Sequence, residues 1–515
     1  MKCDAPQFAK KGACGKRRLA AKTPPFMFAS IFSRIFLLAA VLTGTILLGG
    51  CWKHESGPII VSAIGGPPAL RNSHEGPLDP PAAFLAETAA QGLVRFDASG
   101  QIVPALAQRW IVSDDGLRYT FRLGTYEWAG GGKITAAQVV ARFRMAMAPA
   151  SRSRLKPLLG SIEDVVTMTD DVIEISLKGP RPNFLQLLAQ PELAITRNDK
   201  GSGPYLVAMG QDGVLELTPP KKDPDDDGQA PPQPKLRLRG ESAALAVARF
   251  RSGRASLVTG GTAGDLLIAQ VARLAPQSLR FDPVGGLLGL AFVSGAGPIG
   301  DADVRDALSM AIDRAALVAD IGVAGLQPRA SLLPPGTDEI ALPATPTWAD
   351  QPLAQRRQQA ARVIAAATGS APMRLRIAVP AGPGYQVMVA HLRHDWQLIG
   401  VTIEAVPLQA PADLRLVDEV APVTMASWYL RHFTCSDSVI CSAKADQAMD
   451  AARVAATQQA RQTSLVQADA LLRDITPFIP LTAPVRWSLV SPRLTGFQPS
   501  IFGLHPADEL VMPQR

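Results

Sequence analysis

The sequence predicts a mixed α/β protein, α/β or α+β, of two or three domains. Strand-like and helix-like stretches follow one another along most of the 515 residues, and no internal repeat interrupts them. Such mixing favours α/β or α+β domains over a helix bundle or a β-sandwich. A chain of this length exceeds what one hydrophobic core usually organises, so more than one domain is expected.

Local patterns justify the individual elements. Apolar residues with a period of two, or short β-branched runs, predict strands, whereas a period near 3.6 predicts helices. The predicted strands are 59–64, 118–123, 172–177, 288–293, 401–406 and 487–490. The predicted helices are 84–94, 136–147, 243–252, 303–319, 385–396 and a helix pair over 443–475. The proline- and aspartate-rich segment 219–235 is predicted to be a solvated loop or hairpin extension.

The N-terminal segment has the features of an export signal. Residues 35–50 are apolar and uncharged, follow Arg34 and end in two glycines. A membrane-spanning helix needs about 20 apolar residues, so a shorter run behind basic residues is more typical of a secretory signal. We expect residues 1–50 to be a signal peptide, with Met27 as an alternative start.

The four residues Leu48-Gly49-Gly50-Cys51 resemble the lipobox of bacterial lipoproteins. In those proteins the cysteine is diacylated and becomes the mature N-terminus. The resemblance implies lipid attachment at Cys51, a tether over 51–57 and a periplasmic, membrane-anchored protein. The alternative is a buried cysteine in an uncleaved helix, for which the apolar run is short.

The positive charge is concentrated before Cys51. Eight lysines and arginines and a single aspartate precede that residue, which accounts for the whole formal charge of +7. The remaining chain is close to neutral, so no basic surface indicates binding of nucleic acid.

Cys435 and Cys441 are close in sequence and belong to the exported part of the chain. Outside the cytoplasm such a pair favours a local disulfide. A metal site is the weaker interpretation, because two cysteines supply only two ligands and His432 is the only neighbour that could add a third.

Motifs of the common enzyme classes are absent from the sequence. It contains no Gly-x-Ser-x-Gly, no phosphate-binding Walker loop and no zinc-protease His-Glu-x-x-His. The acidic segment 223–228 resembles the start of a calcium loop, but Pro234 stands where the bidentate glutamate is required. We therefore expect no catalytic residue, no metal and no cofactor.

Several motifs occur in a characteristic order. They are QGLVRFD at 91–97, IVPALAQRW at 102–110, VSDDGLRYTFRL at 112–123, GPY at 203–205, DVRDALSMAIDRAAL at 303–317 and VSPRLTG at 490–496. Together they resemble the family-5 extracellular solute-binding proteins of ABC importers, of the oligopeptide- and dipeptide-binding type.

This resemblance implies a two-lobed periplasmic-binding-protein-like fold of type II, in the large variant with an extra domain and with a ligand cleft between the lobes. It also implies a monomer that captures a peptide or other small solute by hinge closure and delivers it to a permease and ATPase complex. A non-transport role on the same fold, as a scaffold, sensor or chaperone-like lipoprotein, is the alternative.

The resemblance also suggests domain boundaries. They are 58–82 with 198–285 and 486–515 for the core of lobe I, 83–197 for the extra domain of lobe I, and 286–485 for lobe II.

Five residues are candidates for ligand contact: Leu78, Asp79, Trp428, Tyr429 and Arg431. In peptide-binding members an aspartate three residues after a tryptophan holds the α-ammonium, and here Arg431 stands three residues after Trp428. If Arg431 faces the cleft, it favours a carboxylate, phosphate or sugar hydroxyl. In the other interpretation it pairs elsewhere or faces water.

The segment around Leu78 and Asp79 resembles the stretch whose backbone contacts extended peptides, although Pro80 and Pro81 lack the N–H that such contacts need.

Overall fold

The computed structural model describes residues 57–181, 183–197, 200–219, 233–337, 339–340, 342–369 and 371–512. The predicted signal peptide, Cys51 and most of the predicted tether lie outside these residues. Among the helices that are described, none combines the length and the apolar character needed to cross a bilayer.

The largest sheet draws its strands from distant parts of the chain. In spatial order they are Leu206–Met209, Leu215–Thr218, Leu236–Glu241, Ile59–Ile64, Leu257–Thr262, Arg486–Val490 and Leu279–Asp282. The three central strands run parallel, and the strands outside them pair antiparallel. The first strand, Ile59–Ile64, is almost wholly buried, as its continuous apolar sequence indicates.

A second sheet has five strands. In spatial order they are Val401–Pro407, Met373–Val379, Leu414–Val420, Gly286–Phe292 and Phe478–Thr482. The first three are parallel and the last two pair antiparallel. A third, antiparallel sheet contains Ala107–Val112, Arg118–Leu123, Val172–Leu177 and Ile162–Thr169.

Two short connections join the seven-stranded sheet to the five-stranded sheet. Residues 283–285 lead from the first into the second, and residues 483–485 lead back. The connections lie side by side, because the strands that flank them pair with each other in each sheet.

Helices cover the sheets and supply apolar residues to the cores. The α-helices are Pro80–Ala89, Ala136–Met147, Lys156–Leu159, Phe184–Leu188, Ala243–Arg251, Leu266–Gln270, Ala302–Met310, Arg314–Ile321, Leu353–Thr368, Pro383–Gln397, Ala426–Arg431, Ala443–Val454 and Gln458–Ile475. With sheets and helices mixed along the chain, the prediction of a mixed α/β class is confirmed.

Two helix predictions were wrong in extent. The helix predicted over 84–94 is Pro80–Ala89, because the Asp79 carboxylate accepts a hydrogen bond from the Ala82 N–H at 3.1 Å and the prolines occupy the first turn, where no N–H is needed. The single helix predicted over 303–319 is divided. The Asp313 side chain accepts from the Ala316 N–H at 3.0 Å and starts a new helix.

Candidate functional site

A cavity of about 430 Å³ lies between the seven-stranded and five-stranded sheets. Part of its wall comes from the segment before and within the helix Pro80–Ala89, part from the end of the strand Leu414–Val420, and part from the C-terminal segment. The lining residues are Pro77, Leu78, Pro80, Ala83, Phe84, Glu87, Arg154, Thr259, Gly260, Thr262, Asp418, Glu419, Val420, Arg486, Phe502, Gly503, Leu504 and His505. This size falls within the usual range for small-molecule pockets, about 300–1,000 Å³. We call this cavity the cleft.

Asp418 and Arg486 both line the cleft and form an ion pair with each other. The Arg486 guanidinium donates to the Asp418 carboxylate at 2.7 Å, and the Asp418 side chain is only 4% exposed. The Tyr385 hydroxyl donates to the other carboxylate oxygen at 2.7 Å. Burial raises the pKa of Tyr385 above its ordinary value, so this phenol stays protonated and remains a donor.

Arg154 and Glu419 add further charge to the lining of the cleft. Arg154 pairs with the buried Glu192 and donates to the Val420 carbonyl at 3.3 Å. Next to it, the Glu419 carboxylate lies 3.2 Å from Nε2 of His432. Burial acts to raise the pKa of Glu419, but the hydrogen bond and the charge of His432 outweigh it and hold that pKa below the usual range. Glu419 is therefore an anion at neutral pH.

Apolar side chains line the cleft between these charged groups. They are Leu78, Phe84, Phe502 and Leu504. Phe502 is held by a tilted contact with Phe96, with ring centroids 4.7 Å apart. The lining of the cleft thus presents both apolar and charged side chains to a solute.

Glycines allow the two sheet regions to approach each other. The Gly384 N–H donates to the Gly264 carbonyl at 2.8 Å, so backbone from the helix Pro383–Gln397 touches the loop after the strand Leu257–Thr262. A Cβ on Gly384 would lie 2.0 Å from the Ala263 oxygen. No side chain larger than hydrogen fits this contact without moving the two backbones apart.

The structure separates the five predicted contact residues. Leu78 lines the cleft, while the Asp79 carboxylate caps its own helix. Trp428 and Tyr429 are buried and pack edge to face with centroids 4.8 Å apart. The Tyr429 hydroxyl lies beside Gly285, in the connection 283–285. Neither aromatic residue is among those that line the cleft.

Arg431 points away from the cleft. Its guanidinium donates to the Met449 carbonyl at 3.0 Å and lies 3.9 Å from the Asp450 carboxylate. Arg461 donates to the Ala452 carbonyl and Arg181 to the Arg453 carbonyl, at 3.0 and 2.8 Å. Three guanidinium groups therefore meet at the C-terminal end of the helix Ala443–Val454, where carbonyl groups lack helical partners and the helix dipole is negative. This arrangement corresponds to the second interpretation of Arg431 given above.

Cys435 and Cys441 are joined by a disulfide, with Cα atoms 5.0 Å apart. The bridge closes the loop between the helices Ala426–Arg431 and Ala443–Val454. Within the described part of the chain, no group of three or more His, Cys, Asp or Glu side chains is placed to hold a metal ion.

Sequence reasoning missed the charged residues of the cleft. Asp418 and Arg486 are 68 positions apart and become neighbours only through the sheet topology. One local signal was available: Asp418 and Glu419 are adjacent acidic residues close to the C-terminal end of the strand Leu414–Val420. Charged residues at such a position often face a site.

The family described as "Bacterial extracellular solute-binding proteins, family 5 Middle" matches residues 101–442, which is more than half of the chain. The chain belongs to this family. A family-5 member is expected to have two lobes around a ligand cleft, and the seven-stranded and five-stranded sheets form the centres of two such lobes.

Known proteins agree with this assignment. OppA of Haemophilus influenzae in complex with RPPGFSPFR superposes with a TM-score of 0.79 at 18% identity, covering 89% of this chain and 100% of that one. The two-lobed fold class is thereby confirmed. The chain is 32% identical to the probable deoxycholate-binding periplasmic protein YgiS of Escherichia coli over 24% of its length, and 23% identical to the oligopeptide-binding protein OppA of Bacillus subtilis over 48%. These matches span 28% and 51% of the two relatives.

Proposed function

We propose that this protein is the substrate-binding component of an ABC importer, exported and anchored by lipid at Cys51. It captures a small solute in the cleft by closure of the two lobes and delivers it to a permease and ATPase complex in the membrane. The domain boundaries suggested by the family resemblance belong to the same proposal.

The cleft is the observation that carries this proposal. Its cavity of about 430 Å³ lies between two separately built sheets that are joined by only two short connections. Ligand sites are commonly found between domains, and hinge closure around a ligand is one of the recurrent movements of such proteins. A peptide as long as nine residues would exceed this volume, so a smaller solute fits better.

The backbone contact between Gly384 and Gly264 provides a test of closure. The variant Gly384→Ala places a methyl group 2.0 Å from the Ala263 oxygen and should hold the lobes apart. Solutes released from natively purified protein are identified by mass spectrometry and titrated back by calorimetry. We expect at least tenfold weaker binding by the variant, because ligand closure must now overcome the clash, and a larger radius of gyration by X-ray scattering.

Gly295→Ala is the matched control, because a Cβ there meets only the end of the Ile440 side chain at 3.5 Å. It should bind as the wild type does. Equal affinities for Gly384→Ala and the wild type would show that this contact has no part in the ligand-bound state. Failure to recover or bind any small solute would favour the alternative of a non-transport lipoprotein.

A further inference from the structure

We propose that the solute carries a positively charged nitrogen on an apolar body, and that Glu87 binds this nitrogen. This inference rests on the proposed function and names the chemical class of the ligand. It assigns Glu87 as the residue that determines specificity.

Glu87 stands at the boundary of two cavities. It lies on the helix Pro80–Ala89 and lines both the cleft and a smaller cavity of about 240 Å³. The smaller cavity is bounded by residues around Gln91, Arg95 and Tyr205. A solute in either cavity can therefore reach the Glu87 side chain.

The other charged side chains of the cleft are already paired. Asp418 pairs with Arg486, Arg154 with Glu192, Glu419 with His432, and His505 with Asp282 at 3.2 Å. Among the charged residues that line the cleft in the described part of the chain, Glu87 alone has no ion pair. The Glu87 carboxylate accepts a hydrogen bond from the His505 backbone N–H, but this bond does not neutralise its charge. A carboxylate without a cation in a partly buried cavity is costly, and a cation from outside would compensate it.

The groups that face Glu87 do not replace such a cation. His505 is held by Asp282 and stacks on Phe497, with ring centroids 4.4 Å apart. Arg95 is 3.1 Å from the Asp508 carboxylate, which is itself an anion near Glu87. Burial raises the pKa of Glu87 to about 7; Asp508 acts in the same direction, and His505 and Arg95 act against it. Without a ligand, Glu87 is therefore protonated in a large fraction of the molecules at neutral pH.

The wall beside Glu87 defines the rest of the solute. Phe84 lies one turn before Glu87 on the same helix, and Phe502 and Leu504 also line the cleft. A hydrocarbon or aromatic group that follows the charged nitrogen would pack on these side chains. Anionic solutes are disfavoured, because Arg154 and Arg486 already bind carboxylates of the protein.

Paired probes test the inference directly. The probes are 2-phenylethylamine, phenylalaninamide and leucyl-leucine, each compared with its N-acetyl derivative by thermal shift and calorimetry. We expect the free amines to bind and the acetylated compounds to bind at least tenfold more weakly. Failure of all three amines to bind, or equal binding of the acetylated compounds, would overturn the inference.

Maltose, citrate and deoxycholate form the neutral and anionic arm of the same screen. If one of these stabilises the protein and no amine does, the ligand class proposed here is wrong while a solute-binding role stands. If no compound of any class binds and no solute co-purifies, the solute-binding role itself fails.

Glu87→Gln tests the residue, and Glu404→Gln is its control because the Glu404 side chain is 71% exposed on the strand Val401–Pro407. Glutamine resembles protonated glutamate in shape, so folding should be retained. We expect Glu87→Gln to bind amines at least tenfold more weakly and Glu404→Gln to bind as the wild type does.

Proton release gives a readout that a purely structural role would not change. A bound ammonium favours the ionised form of Glu87, so at pH 7 about half a proton should leave per ligand. Calorimetry in two buffers of different ionisation enthalpy measures this number. Release by the wild type and none by Glu87→Gln is the expected result, and identical release by both would overturn the assignment.

Discussion

Arg431, a candidate for ligand contact, contacts other parts of the protein in the structure. Burial lowers the pKa of Arg431 to about 10, with Arg453 acting in the same direction, yet the side chain remains a cation at neutral pH. Its partners are a helix carbonyl and Asp450, not a ligand. Together with Arg181 and Arg461 it stabilises one helix end.

Replacing Arg431 should therefore affect stability rather than binding. Arg431→Gln removes a charged hydrogen bond from a mostly buried site, and we expect the free energy of unfolding to fall by about 1–3 kcal/mol. Urea unfolding measures this loss, and amine titration should show affinity within twofold of the wild type. Arg393→Gln, on an exposed position of the helix Pro383–Gln397, should change neither. A large loss of affinity in Arg431→Gln would return this residue to the ligand site.

At the scale of single residues, the sequence alone predicted only part of the candidate site. Leu78, a candidate for ligand contact, lines the cleft, and its contact with a ligand stays a prediction. The direction of Arg431 was left open, because residue order does not determine where a long side chain points. Glu87 gave no signal, since a single glutamate on a helix is usually solvated. Its significance depends on which neighbours are already paired.

Among the elements, the disulfide-closed loop between two helices is the clearest unit. The exposed Cys435 also donates its backbone N–H to Asp446 at 3.0 Å, so the bridge and this hydrogen bond hold the loop against the helix Ala443–Val454. The C-terminal end of that helix accepts hydrogen bonds from Arg181, Arg431 and Arg461. The loop thereby supports the packing of the second lobe.

Loss of the bridge should destabilise the protein measurably. For Cys435→Ser with Cys441→Ser we expect a free energy of unfolding lower by about 2 kcal/mol, because a short closed loop is released in the unfolded chain. Wild type unfolded in the presence of reductant should show the same loss, and reductant should not affect the variant. Identical unfolding of the wild type with and without reductant would contradict this expectation.

At the scale of the whole molecule, local patterns predicted the class of fold and most elements, but not their arrangement. The periodic patterns of strands and helices involve residues that are close in sequence, which explains why these elements could be predicted from the sequence. The seven-stranded sheet places Ile59–Ile64 and Arg486–Val490, from near opposite ends of the described chain, on either side of Leu257–Thr262, and such long-range assembly leaves no local pattern. The two-lobed arrangement was inferred from family resemblance alone.

The proposed lipid anchor concerns the whole molecule, and the residues that would carry it lie outside the described part of the chain. Cys51→Ser should abolish fatty-acid labelling and move the protein from the membrane to the soluble fraction, because two acyl chains give stable anchoring and none gives very little. Cys14→Ser, upstream of the predicted cleavage point, should retain both labelling and membrane association. Unchanged labelling in Cys51→Ser would show that the lipobox resemblance is misleading.

The two connections, residues 283–285 and 483–485, restrict how the seven-stranded and five-stranded sheets can move relative to each other. The two connections are equally short and lie side by side. Twisting or sliding one sheet past the other would stretch one of them, whereas both can bend together at the same place. Pro283 and Pro484 lie in these connections and have no N–H. Each therefore removes one backbone hydrogen-bond donor from the segment that would bend. The two connections therefore favour rotation about a single axis that leaves the hydrogen bonds of both sheets intact.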